Sequence, residues 1–134
     1  MKLYNGFRCR PKIVAIPAGE MKDPWDWAPS IISLQILNIG QLDIVATPGE
    51  FTTMSGRRLR NAVNEIRPGT TVIAGLCNSY INYIATPEEY EAQESNGGAT
   101  LYGKYTLPAI IQTYELMATA MNEVRTSFLK LLYI

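Results

Sequence analysis

Between Ser33 and Ile39 apolar and polar positions alternate, the period-two signature of a half-buried strand. Gly40-Gln41 supplies a tight turn, and Leu42 to Ala46 returns as a second strand, so the pair reads as a hairpin that Thr47-Pro48-Gly49 stops. From about Phe51 the period lengthens. Met54, Leu59, Ala62, Val63 and Ile66 share one helical face, while Arg57, Arg58 and Arg60 occupy the other side. Pro68-Gly69 ends that helix, and the continuous apolar, β-branched run Thr70 to Leu76 predicts an inner strand. Strand, helix, strand in this order is a βαβ-type unit. Together with the hairpin it places the chain in the α/β class with a mixed sheet.

Further along, Thr86 is a candidate N-cap, with Pro87 at the first helical position and Glu88 and Glu89 in the first turn. Asn96-Gly97-Gly98 is expected to break this short helix. A long C-terminal amphipathic helix starts near Thr106-Leu107-Pro108. It carries Ile110, Ile111, Tyr114, Met117, Ala118, Met121 and Val124 at i, i+3, i+4, i+7 spacing, which predicts its methionines in the core. Ahead of the hairpin, Pro11, Pro17, Gly19, Pro24 and Pro29 punctuate an ordered loop around one strand candidate, Lys12 to Ile16. The end, Phe128 to Ile134, is apolar and has no polar cap, which predicts a truncated chain or a packed partner.

Composition narrows the class without naming an activity. The 134 residues suit one domain or a piece of one, and 47% apolar with 18% charged residues excludes disorder, collagen-like repeats and a coiled coil. Twelve basic and twelve acidic residues give no net field to draw nucleic acid or an anionic membrane surface. No apolar run approaches the ~20 residues of a membrane span. Histidine is absent, so this chain holds no self-contained Ser-His-Asp triad, Cys-His pair or histidine-ligated metal. Cys9 and Cys77 are too few for a disulfide framework or a four-cysteine zinc site. Cys77, in the apolar stretch from Val72, reads as a buried free thiol. Cys9 lies among Arg8, Arg10 and Lys12, neighbours that lower a thiol pKa, but no histidine accompanies it. The opening Met-Lys-Leu-Tyr-Asn-Gly lacks the apolar core of a signal peptide, and none is expected in this chain.

Two segments concentrate candidate chemistry. Thr47 to Arg60 spans the junction where a strand ends and a helix begins, the place where open α/β sheets bind ligands, and it puts Glu50 at the carboxyl edge of the sheet. The plainer role for Glu50 is to complement the helix dipole, worth roughly 0.3–1 kcal/mol. Arg57, Arg58 and Arg60 suit a phosphate or, more simply, a solvated basic face. Neither GxGxxG nor GxxxxGK[ST] occurs, so nucleotide binding has no support. The second segment, Gly75 to Thr86, follows the expected inner strand and should emerge at the same edge as Glu50. Its Asn78, Tyr80 and Tyr83 are the residue types of a site wall, or of aromatic packing with hydroxyls reaching water.

The run Pro-Gly-Glu-Phe-Thr-Thr-Met-Ser-Gly-Arg-Arg-Leu-Arg at 48–60 resembles the signature of the neutral (non-lysosomal, neutral/alkaline) ceramidases. The resemblance extends through Cys9-Arg10-Pro11-Lys12, Pro24-Trp25 with the strand from Ser33 to Ile36, Gly75-Leu76-Cys77-Asn78 and Tyr80 with Tyr83. It continues in Glu88-Glu89-Tyr90, Gln93, Thr100-Leu101-Tyr102-Gly103 and Thr106-Leu107, all in the same order. These blocks make residues 1–125 similar to the carboxyl-side part of that family's catalytic domain. Residues 126–134 form an apolar tail unlike the family, and its C-terminal β-sandwich domain is expected to be absent.

The resemblance implies zinc-dependent hydrolysis of the ceramide amide to sphingosine and a fatty acid. It implies a Zn2+ held by two histidines, a glutamate and a tyrosine, with Glu50 and Tyr83 as the two ligands in this chain and Tyr83 also catalytic. The histidines and a Gly-Asp-Val-Ser-Pro-Asn loop would lie upstream, in a part of the catalytic domain that partners this one. Ceramide, met at a membrane surface, would be the substrate. Secretion or display at the outer plasma-membrane face is implied too, with Cys9 a candidate for a disulfide to an upstream cysteine. The sequence departs from the family where Glu94-Ser95-Asn96 replaces Arg-Tyr-Glu and where Gly103-Lys104 replaces Gly-Pro. The alternative reading is a non-catalytic lipid-binding or interaction fragment of the same fold.

Overall fold

The structure, a computed structural model, describes residues 18–132, with side chains as far as Val124. The strand expected at Lys12 to Ile16, Cys9 with its basic neighbours, and the side chains of the apolar end lie outside the described residues.

The hairpin forms as predicted, but its first strand begins at Gln35, and the apolar Leu37 and Ile39 lie exposed. Strands β1 (Gln35–Ile39) and β2 (Leu42–Ala46) pair antiparallel, with Ile39 opposite Leu42 across a two-residue turn. Gly40 takes φ +62°, the left-handed conformation such a turn requires. The chain then forms the short strand β3 (Glu50–Phe51), helix α1 (Thr53–Ile66) and strand β4 (Thr70–Ala74). β4 pairs parallel with β2, which makes the crossover through α1 the expected βαβ-type unit.

Two readings of this unit are corrected. The strand order is β1-β2-β4, so β2 is central and β4 lies at an edge among the described residues, with Val72 half exposed rather than inner. β4 also stops at Ala74, because Gly75 and Leu76 leave the ladder and Leu76 turns to φ +60°. In α1 the buried positions are Ser55, Leu59 and Val63, while Met54 is exposed. A serine sets the helix phase because its hydroxyl donates to the Ile84 carbonyl at 2.6 Å, a bond that would be lost if the helix rotated to bury Met54.

After β5 (Tyr83–Ile84) come α2 (Pro87–Ala92), a four-residue helix α3 (Ser95–Gly98) and α4 (Thr106–Leu132). Thr86 caps α2 through a full capping box with Glu89, as its sequence predicts. The Asn96-Gly97-Gly98 stretch, expected as a breaker, is itself helical. In α4 the buried stripe is Leu107, Ile110, Tyr114 and Ala118; Met117 and Met121 are only half-buried, and Val124 is exposed. That stripe packs with Val45, Leu59, Val63, Ile81 and Ile84 into one core. Tyr114 is fully buried and donates its hydroxyl to the Ala46 carbonyl at 2.6 Å, with burial pushing the phenol well above its ordinary pKa.

The far end of the core is polar. Arg67, immediately after α1, grips Asp43 of β2 with two bonds of 2.8 and 3.1 Å and donates to Asn122 Oδ1 of α4 at 2.8 Å. Asn122 in turn donates to the Ile66 carbonyl, and Asn38 of β1 donates to Asp43 at 2.7 Å. Both charged side chains are nearly buried. Removing one partner of such a pair strands a desolvated charge, so Arg67→Met should cost roughly 3–5 kcal/mol, a large part of a total of about 5–15 kcal/mol. Urea unfolding should give a lower midpoint at an unchanged slope.

Candidate functional site

β2 and β4 run parallel, and both carboxyl ends point to the same edge. There the Thr47–Thr52 backbone is bonded along the Ala74–Ile84 segment. The Thr47 amide donates to Ala74, and the carbonyls of Thr47, Pro48 and Gly49 accept from the amides of Cys77, Ile81 and Leu76. The Glu50 and Thr52 amides then donate to the carbonyls of Asn82 and Ile84, forming the parallel pair β3–β5. Gly49 makes the approach possible. A Cβ there would lie 2.6 Å from Ile84 Cδ1 and 2.9 Å from the Asn82 carbonyl oxygen.

In this register Glu50 stands directly opposite Tyr83. The second segment therefore emerges beside Glu50, as its position after β4 predicts. Tyr80 donates to Glu50 Oε1 at 2.6 Å and lies 3.2 Å from Asn82 Oδ1. That bond, together with the nearby carboxylate charge, holds the Tyr80 phenol at about 12. Tyr83 is raised as well, first by hydrogen bonding with Glu50 and then by its charge. Glu50 and Tyr83 are half-buried and Tyr80 is exposed, so the cluster faces outward from the edge. Asn78, the other polar residue expected in the wall, instead donates to Gln35 of β1 at 3.2 Å.

Glu50 does not serve the dipole of α1. No acid lies in the first turn of that helix; its N-cap is Thr52, whose hydroxyl donates to Glu89 of α2 at 2.6 Å. Burial alone would raise the Glu89 carboxyl, but hydrogen bonds from Thr52 and from Thr86 bring it below its ordinary value. The local patterns of Thr52 and Glu89 are each readable as caps; their meeting is not. Among the arginines, Arg58 pairs with exposed Glu88 at 2.8 Å and Arg57 and Arg60 face solvent, so this side of α1 is the solvated basic face. Cys77 is half-buried rather than buried, its sulfur 3.6 Å from the Gly75 carbonyl oxygen. Ser95 opens α3 on the exposed side of the chain.

The donor set can be tested against a metal. One carboxylate and one phenol converge at the edge, both oxygen donors suited to a divalent cation. A catalytic zinc takes three protein ligands and a water, and no group of three histidine, cysteine or acidic residues occurs among the described residues. Glu50 and Tyr83 thus fit as half of such a shell.

Residues 7–112 match the family model described as neutral/alkaline non-lysosomal ceramidase, N-terminal. Neutral ceramidase 3 of Arabidopsis thaliana is 52% identical over 128 residues, covering 90% of this chain and 18% of the relative. Neutral ceramidase B of Dictyostelium discoideum is 45% identical over 125 residues, covering 89% of this chain and 17% of that one. The crystal structure of neutral ceramidase from Pseudomonas aeruginosa superposes with a TM-score of 0.73 at 41% identity, over 79% of this chain and 17% of its own. The chain therefore spans less than a fifth of the length of these relatives.

A carboxylate beside a phenol resists phenolate formation, so Glu50→Gln should return the Tyr80 ionisation from about 12 toward the ordinary value near 10. The stability that the raised pKa contributes is complete below about pH 10 and is lost as pH rises through about 12. Ring-carbon NMR of labelled tyrosine across that range measures the shift.

Proposed function

The chain belongs to the neutral/alkaline non-lysosomal ceramidase family, and on that premise we propose that the protein hydrolyses the N-acyl amide of ceramide, releasing sphingosine and a fatty acid. The observation that carries the reading is the register of β3 and β5, which sets Glu50 opposite Tyr83 at the carboxyl edge of the sheet. Glu50 and Tyr83 are proposed to hold a zinc ion, with two histidines contributed by sequence outside these 134 residues. A zinc so held would supply a water acidic enough to attack at neutral pH and would polarise the amide carbonyl. In this reading Tyr83, opposite Glu50, is the residue of this chain that acts on the substrate. Strand pairing fixes its backbone beside that of Glu50. Long acyl chains call for an apolar surface next to polar groups, which is a role for the remaining catalytic domain together with this edge. Secretion or display at the outer plasma-membrane face, where ceramide would be met at a membrane surface, belongs to the same proposal.

A second reading rests on the absence of histidine from all 134 residues: a lipid-binding or interaction segment that retains the fold without the chemistry. The two readings part on metal and turnover.

In the full-length protein, Glu50→Ala should abolish zinc retention and lower turnover of a fluorescent ceramide by more than about 100-fold, beyond the usual effect of a residue outside the ligand shell. Retained zinc with normal turnover would overturn the ligand assignment, and ceramide binding without zinc or turnover in the parent protein would favour the second reading. The 134 residues expressed alone offer two oxygen donors and no imidazole. They should retain no zinc after dialysis and cleave no ceramide, as checked by metal analysis and the same assay.

A further inference from the structure

Two tyrosines meet Glu50, but they arrive by different routes. Tyr83 belongs to β5 and is placed by the strand register. Tyr80 belongs to no strand; it sits three residues earlier, on the loop that joins β4 to β5. Along an extended chain, residues separated by an odd number point to opposite faces, so Tyr80 and Tyr83 should not share a target. Between them Asn82 is left-handed at φ 64°, and Leu76 and Asn78 earlier in the loop are left-handed too, at 60° and 66°. Such conformations are uncommon for non-glycine residues, and a bulky leucine is among the least tolerant. Asn82 lies between the two tyrosines, and its turn brings the Tyr80 hydroxyl back onto the carboxylate that Tyr83 faces.

The Tyr80 hydroxyl is 2.6 Å from Glu50 Oε1 and 3.2 Å from Asn82 Oδ1. A phenol has a single proton, and the shorter, charge-assisted contact takes it. One carboxylate oxygen is thereby committed. We propose that Tyr80 is a positioning residue for Glu50: its hydrogen bond fixes the rotation of the carboxylate and reserves the second oxygen for a cation. This rests on the reading of Glu50 as a zinc ligand. The energetic logic is general. A free carboxylate loses side-chain entropy when it binds a metal and can turn either oxygen, or both, toward the ion. A carboxylate already tethered through one oxygen has met part of that cost and presents a single donor.

The test uses the full-length protein. Tyr80→Phe removes one oxygen from a ring that is 48% exposed and leaves its packing intact. Zinc affinity, measured by chelator competition, should fall about 10–100-fold, the usual effect of losing a partner behind a metal ligand. With zinc in excess kcat should recover, and KM for ceramide should remain unchanged throughout. In a Glu50→Asp background, where the shorter side chain no longer reaches the phenol, adding Tyr80→Phe should cause no further loss of affinity. This double-variant comparison also separates the effect from any loss of fold. Unchanged or tighter zinc binding by Tyr80→Phe, or independent losses in the double variant, overturns the proposal; tighter binding would mean that the phenol competes with the metal. Those outcomes leave the ligand reading standing as long as Glu50→Ala loses zinc. If Glu50→Ala keeps zinc, the ligand reading falls and this proposal falls with it.

Discussion

The arrangement depends on the hydrogen bonding between two backbone segments, Thr47–Thr52 and Ala74–Ile84. Neither is a regular strand over most of its length, yet the two are joined by six backbone hydrogen bonds. A buried segment with no such partners would leave its peptide groups desolvated, at a cost of about 1–3 kcal/mol each. Thr47, Pro48 and Gly49 are all buried, so these bonds allow the chain to pass through the interior between β2 and β3. The position of Glu50 follows from backbone geometry, and its side chain remains available for chemistry.

The central strand β2 is anchored differently at its two ends. Near its start, Asp43 is locked to Arg67, and through Arg67 to α4. Beyond its last residue the chain enters the bonded segment that carries Glu50. Fully satisfied buried charges favour one register and one packing of α1, β2 and α4. That fixed end holds the sheet while the other end presents side chains to solvent. The Glu50 edge and the Asp43–Arg67 anchor are therefore the two ends of one strand arrangement.

What the sequence revealed was mostly local. The hairpin pairing, the turn at Gly40 and the Thr86–Glu89 cap are all decided within a few residues, and each is found in the structure. The crossover through α1 and the meeting of the two candidate segments were readable from chain order and handedness. The fine geometry was not. Strands β3 and β5 are two residues each, too short for any period to register. The helix phase that exposes Met54 depends on Ser55 bonding a carbonyl 29 positions away. Arg67, just past the end of α1, is buried where Asp43 and Asn122, from distant elements, converge on it. The family resemblance supplied the pairing of Glu50 with Tyr83; nothing in the pattern pointed to Tyr80 as its hydrogen-bond donor.

Glu89 ties together the starts of two helices. Its carboxylate accepts from the Thr86 amide at the start of its own helix and from the hydroxyl that caps α1. Helix ends usually fray independently, each governed by its own cap. Here Glu89 closes the cap of α2 and also holds the hydroxyl that caps α1. The residues that follow Glu50 and the residues that follow Tyr83 are thereby tied by a side-chain bond as well as by the β3–β5 pairing.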